Sequence, residues 1–234
     1  MMTTCLSPVI VALDASTTVE AFSLADRLSP ALCRLKVGKE LFTAVGPQVI
    51  EGLQQRGFEV FLDLKFHDIP HTVGAACRVA AALGVWMVDV HVSGGPAMLD
   101  AARLAVDSVA KPPILVGITI LTSLQSADLQ QIGMQGQVSE TVLRLAQLGH
   151  HHGLDGVVCS AAEAASLRMT LPADFQLVTP GIRPAGSDLN DQVRVVTPAQ
   201  AMRLGSNYLV IGRPITQSSD PVSTLQNIID SLQS

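Results

Sequence analysis

Short apolar runs bounded by Gly, Pro or Asp alternate along the chain with longer stretches of amphipathic helical pattern. Eight such runs begin near Pro8 (PVIVALD), Cys33 (CRLKVG), Glu59 (EVFLDLK), Val85 (VWMVDVH), Ile114 (ILVGITIL), Leu154 (LDGVVCS), Gln176 (QLVTPG) and Asn207 (NYLVIG). Strand-like runs alternating with helices imply parallel strands joined by crossover helices. Their density, about one unit per 29 residues, is what a closed barrel with short loops requires, whereas an open doubly wound sheet would use fewer strands. The predicted fold is therefore α/β, a single (β/α)8 TIM barrel forming one domain over residues 1–234. Helix starts agree with this register. Thr17 with Glu20, Ser160 with Glu163 and Thr197 with Gln200 each spell a capping box after a strand-like run. Pro198 then falls at a first helical position, where its missing N–H costs nothing.

Composition narrows the picture. Hydrophobic residues are 48% of the 234 and charged residues 15%, which excludes a disordered chain. The net charge of −5 comes with no run of Lys and Arg, so no nucleic-acid partner is expected. The longest uncharged apolar stretch, between Lys111 and Asp128, opens with two prolines and ends in polar residues, short of a membrane span. No basic residue precedes the first apolar run, which does not read as a signal peptide, so a soluble cytoplasmic protein is expected. Cys5, Cys33, Cys77 and Cys159 are widely spaced within apolar segments, as reduced core thiols are.

In such barrels chemistry gathers where strands end and the following loops begin. Polar residues at those positions include Asp14, Lys36, Asp63, Lys65, Asp68, His91, Thr122, Ser123, Arg183 and Arg213. The third strand ends FLDLKFHDIPHT, which puts Asp63 and Lys65 on one face and Asp68 just beyond. A like-facing Asp and Lys in a strand buried on both sides must be paired or functional, and Lys36 and Asp14 add a second ammonium and another carboxylate. A lysine held between carboxylates keeps its proton and becomes a positioned donor, suited to quenching a carbanion. Asp63 beside it would repel a substrate carboxylate.

The seventh and eighth runs lead into TPGIRPAGSDLNDQ and IGRPIT. Loops there form the usual phosphate site of this architecture, and Gly212 with Arg213 fits that role. The segment from Pro180 to Gln192 is long enough for a lid. The consecutive His150, His151 and His152 point about 100° apart on a helix and cannot form a zinc motif, so no metal is expected. His91 at a strand end is either a structural hydrogen-bonding residue or a site residue, and His67 and His71 belong to the loop around it.

These motifs resemble the bacterial orotidine 5′-phosphate decarboxylases over nearly the whole chain. The most specific is D-x-K-x-x-D at Asp63, Lys65 and Asp68, followed by Ile69, Pro70 and Thr72. VALD at Asp14, LKVG at Lys36, LTS at Thr122 and Ser123, TPGIRP at Arg183, Gln192, and IGRPIT at Gly212 and Arg213 support it. His71 departs, standing where many members have Asn. The resemblance implies a metal- and cofactor-independent decarboxylation of orotidine 5′-monophosphate, in which Lys65 protonates C6 with Asp63 beside the departing carboxylate. It implies that Lys36 and Asp14 hold ribose hydroxyls, Thr122 and Ser123 read the pyrimidine, and Gln192, Gly212 and Arg213 bind the phosphate, with Arg183 at the closing loop. It also implies a homodimer in which Asp68, Ile69 and Thr72 reach the partner's site. Two other readings compete. A Mg²⁺-dependent sugar-phosphate decarboxylase or aldolase shares D-x-K-x-x-D but has a carboxylate where this chain has Lys36, a cation that repels the metal. A noncatalytic nucleotide-binding barrel would have no need of the buried Asp–Lys–Asp array.

Overall fold

The strand-like runs are apolar on both faces because each strand has two things to bury against, the barrel interior and a layer of helices. The computed structural model describes residues 5–184 and 196–232. Its eight strands are β1 (Val9–Leu13), β2 (Arg34–Gly38), β3 (Val60–Phe66), β4 (Met87–His91), β5 (Ile114–Ile118), β6 (Gly156–Val158), β7 (Gln176–Thr179) and β8 (Tyr208–Ile211). All pair in parallel in chain order, and β8 returns to pair with β1, closing the barrel. Each of the eight runs forms a strand, with starts displaced by one or two residues where the apolar run begins in the preceding turn.

The helix starts follow their caps. Thr17 accepts from the Glu20 N–H (3.2 Å), and the Glu20 carboxylate reaches back to Ser16 N–H (3.1 Å), one residue earlier than a strict box. Glu163 receives the Ser160 N–H at 2.8 Å. Thr197 and Gln200 form the reciprocal pair, and Pro198 opens the helix Pro198–Arg203.

Alternation then sorts the side chains. Val9, Val11, Leu13, Leu35, Val37, Leu62, Val88 and Val90 face outward into the main apolar core beneath the helices. Ile10, Phe61, Met87, Val116 and Val178 form a separate apolar layer inside the barrel. The strand register joins these inner residues, pairing Phe61 with Lys36 on one side and with Met87 on the other. At Gly156 a Cβ would lie 2.2 Å from the Gln176 carbonyl oxygen, so the close approach of β6 to β7 depends on glycine there.

The inner layer separates two polar ends. At the N-terminal end Arg34, 6% exposed, lies over the Trp86 ring (4.2 Å to its centroid) and near Tyr208 (5.4 Å). Its Nε donates to Glu59 Oε2 (2.8 Å), and its two terminal nitrogens donate to the Ser7 and Cys5 carbonyls (2.7 and 2.5 Å). No shorter or apolar side chain can make these three donations, and the arginine plugs the barrel from below. Arg34→Leu leaves Glu59 and two carbonyls without their donor. We expect a stability loss of about 2–3 kcal/mol, read as a lower urea midpoint at unchanged slope, while an unchanged midpoint would show the plug to be dispensable.

Candidate active site

At the opposite end, above the apolar layer, a cavity of about 330 Å³ opens among the strand ends. Phe61, Ile118, Val158 and Val210 give it apolar surface, while Asp14, Lys36, Asp63, Lys65, Arg183 and Arg213 give it charge. Four cations against two carboxylates make the lining suited to an anionic ligand.

Asp63, 9% exposed, sits between two lysines. Its Oδ2 pairs with Lys36 Nζ at 3.1 Å, and its Oδ1 accepts from Lys65 Nζ. Burial alone would raise the Asp63 carboxyl. Lys36, the neighbouring Asp89 carboxyl and the adjacent Lys65 outweigh that penalty and hold it well below the usual carboxylate range. Small residues make room for the charged heads. A Cβ on Gly38 would stand 3.1 Å from Lys36 Nζ, and one on Gly212 would stand 3.1 Å from Asp14 Oδ2.

The strand carrying Asp63 and Lys65 is not the regular ladder that simple alternation implies. Its register with β4 shifts between Leu62 and Phe66, and Lys65 has φ of +52°, the one positive value among described non-glycine residues. Left-handed backbone costs a residue with a side chain roughly 1–2 kcal/mol, so the neighbouring structure must hold it. The two side chains still meet, through a bulge rather than through a shared face.

Asp89, on β4, is a further site residue that the strand-end pattern does not single out. It is fully buried, and its Oδ1 accepts the Lys65 N–H at 2.8 Å. A carboxylate in the middle of the apolar run MVDVH, two residues before His91 and so facing the barrel interior with it, was the signal available. His91 itself stacks on His67 with ring centroids 5.1 Å apart. Burial, then His67 and Lys39, lower its pKa to about 4, so it is neutral at ordinary pH.

The remaining expected residues divide. Thr122, Gly212, Arg213 and Arg183 line the cavity, Arg183 being buried just before residue 185 rather than standing on an open loop. Ser123 does not; it lines a smaller neighbouring cavity of about 160 Å³ with Ser160, Glu163 and Val196, which Thr122 also borders. Asp68, Ile69 and Thr72 are exposed beyond β3 and do not line either cavity within one chain. Gln192 lies outside the described residues. Away from the site, His152 Nδ1 contacts Asp100 at 2.7 Å and His150 packs edge-on against Phe175.

The comparisons with known proteins converge on one group. Residues 7–228 match the family described as orotidine 5′-phosphate decarboxylase / HUMPS. The orotidine 5′-phosphate decarboxylase of Hydrogenovibrio crunogenus is 59% identical over 220 residues, 94% of this chain and 93% of that relative. That of Sodalis glossinidius is 58% identical over 228 residues, 97% of this chain and 90% of its own length. The crystal structure of the Lactobacillus acidophilus orotidine 5′-phosphate decarboxylase is similar with a TM-score of 0.88 and 37% identity, covering 97% of this chain and 100% of that one. Since the match runs through nearly the whole barrel and includes the strand that carries Asp63 and Lys65, the chain belongs to the orotidine 5′-phosphate decarboxylase / HUMPS family.

Proposed function

We propose that this protein converts orotidine 5′-monophosphate to uridine 5′-monophosphate in de novo pyrimidine biosynthesis, without metal or organic cofactor. The observation that carries this reading is Asp63 held between Lys36 and Lys65 in a cationic cavity, in a chain whose relatives bear that activity in their names.

In this reading the bond between C6 and the carboxylate breaks, CO2 leaves, and the electron pair stays on C6. Lys65 Nζ gives a proton to that carbon and recovers one from solvent. Asp63, kept ionised by its two lysines, repels the substrate carboxylate and loses that opponent as neutral CO2 departs. The repulsion therefore falls toward the transition state, and only such a difference accelerates the chemical step.

Lys36 and Asp14 hold ribose hydroxyls, while Thr122, with Ser123 next to it on the wall of the neighbouring cavity, reads the pyrimidine. Gly212 and Arg213 bind the phosphate together with Gln192, and Arg183 stands at the base of the closing loop. A dimer supplies the rest. Ile69 is an apolar residue 65% exposed next to Asp68 and Thr72, a surface in need of a cover, and all three enter the partner's site in a cytoplasmic homodimer. No helix among the described residues is long and apolar enough to cross a membrane.

Loss of the orotate absorbance on mixing with the nucleotide tests the reading directly. Lys65→Ala should lower kcat by about 10²–10⁴-fold with circular dichroism unchanged, the usual cost of removing a general acid, and near-native kcat would remove Lys65 from the chemistry. The parent enzyme should keep its full rate after exhaustive dialysis against EDTA. A rate lost there and restored by Mg²⁺ would favour the sugar-phosphate chemistry instead.

The shared site has its own test. Lys65→Ala and Asp68→Ala homodimers should each be nearly inactive. When the two are unfolded together and refolded, about half the dimers are mixed by random pairing, and each mixed dimer has one pocket with neither lesion. Activity should return to roughly a quarter of the parent per subunit. If mass-confirmed mixed dimers stay inactive, Asp68 serves its own subunit.

A further inference from the structure

Two carboxyl groups meet below the reacting end of the cavity, and the reaction as described uses only one of them. Asp89 lies on the inner face of β4, between Met87 in the apolar layer and His91 at the strand end. It is completely buried, and one oxygen receives the Lys65 N–H. The other, Oδ2, has no hydrogen-bond partner among the described residues, and the charge that acts on the group most strongly is the Asp63 carboxylate. A buried carboxyl oxygen with no donor has nothing to stabilise its charge, and two buried neighbouring carboxylates do not both ionise, so one of them holds a proton.

The surroundings decide which one carries it. Asp63 has Lys36 on one oxygen and Lys65 on the other. Asp89 faces Asp63 and Lys65 from β3, His91 on its own strand, apolar Val116 across β5, and the Cys77 thiol on the helix Pro70–Ala82. Of these only Lys65 is a cation, and its ammonium is already engaged by Asp63. Burial first, and then the negative charge of Asp63, push the Asp89 carboxyl well above the ordinary carboxylate range.

We propose that Asp89 is a positioning residue for the decarboxylation, a neutral carboxylic acid that donates its proton to Asp63 and accepts the Lys65 N–H. Both interactions act on the reacting pair from below. The first adds a third donor to the Asp63 carboxylate and fixes its rotation between the two lysines. The second satisfies the N–H released where the β3 ladder shifts, and so holds the left-handed turn that aims Lys65 into the cavity. Neither touches the groups assigned to ribose or phosphate. Loss of Asp89 should therefore appear in kcat and not in KM.

The kinetic part rests on the decarboxylase reading; the protonation state does not. Asp89→Leu removes donor and acceptor together and should lower kcat by about 10- to 100-fold with KM within about threefold, the cost of a slightly misplaced catalytic group. Asp89→Asn keeps an acceptor for the Lys65 N–H and offers Asp63 a neutral N–H, so it should recover most of that loss. An infrared difference spectrum of the parent minus Asp89→Asn at neutral pH should show the carbonyl band of a protonated carboxylic acid. That measurement needs neither turnover nor a folded leucine variant. A missing band, or an Asn variant as slow as Leu, would overturn the neutral acid, and a Leu variant with parental kcat would overturn the positioning role. If the parent itself fails to turn over the nucleotide, the decarboxylase reading fails and the kinetic role with it, while the band still reports on the Asp63–Asp89 proton.

Discussion

The ion pairs from Lys36 and Lys65 to Asp63 set the terms for the mouth of the barrel. A carboxylate that is 9% exposed loses several kcal/mol of hydration, and one lysine on each oxygen returns enough to keep it charged. The two lysines come from neighbouring strands, Lys36 from β2 and Lys65 from β3, and so reach the carboxylate from different directions. The need for a lysine on each oxygen explains the local exceptions to regular structure, the bulge in β3 and the bare Cα of Gly38 beside the Lys36 head.

The two ends of the barrel solve similar problems for different purposes. Below the apolar layer, Arg34 is ion-paired with Glu59, donates to two carbonyls and packs against Trp86 and Tyr208, so its charge is met within the chain. Above it, the cations outnumber the carboxylates and face an open cavity. The first arrangement is complete within the chain, whereas the second gains from an anion. An imbalance of charge, more than the presence of charge, distinguishes the working end.

Much of this was legible in the residues themselves. Eight strands could be read because runs such as VIVAL and ILVGI are apolar on both faces, and Asp63 and Lys65 stand out because charge inside such a run needs an explanation. Asp89 carries the same signal, but it lies two residues inside the strand end, where a polar residue marks a functional position less clearly than His91 does. Arg34 was hidden in a similar way at the beginning of its strand. The left-handed turn at Lys65 has no sequence mark, because a lysine shows none of the preference for positive φ that glycine does. Asp68 and Ile69, between β3 and the helix Pro70–Ala82, and Thr72 in that helix's first turn are exposed, which hydrophobic periodicity does not report.

Barrel closure by β8 on β1 has a consequence for how this cavity comes into being. The seam joins residues such as Val9 and Leu209, which are nearly the whole chain apart, so its contacts are among the last that loop-closure entropy allows. Until it forms, β1 and β8 are open edges available to other chains. Gly212 and Arg213 follow directly after the seam strand, and the cavity gains that wall only when β8 docks. Maturation of the barrel is therefore inseparable from maturation of the site, and a partly folded intermediate carries exposed edges without yet having a complete place for its ligand.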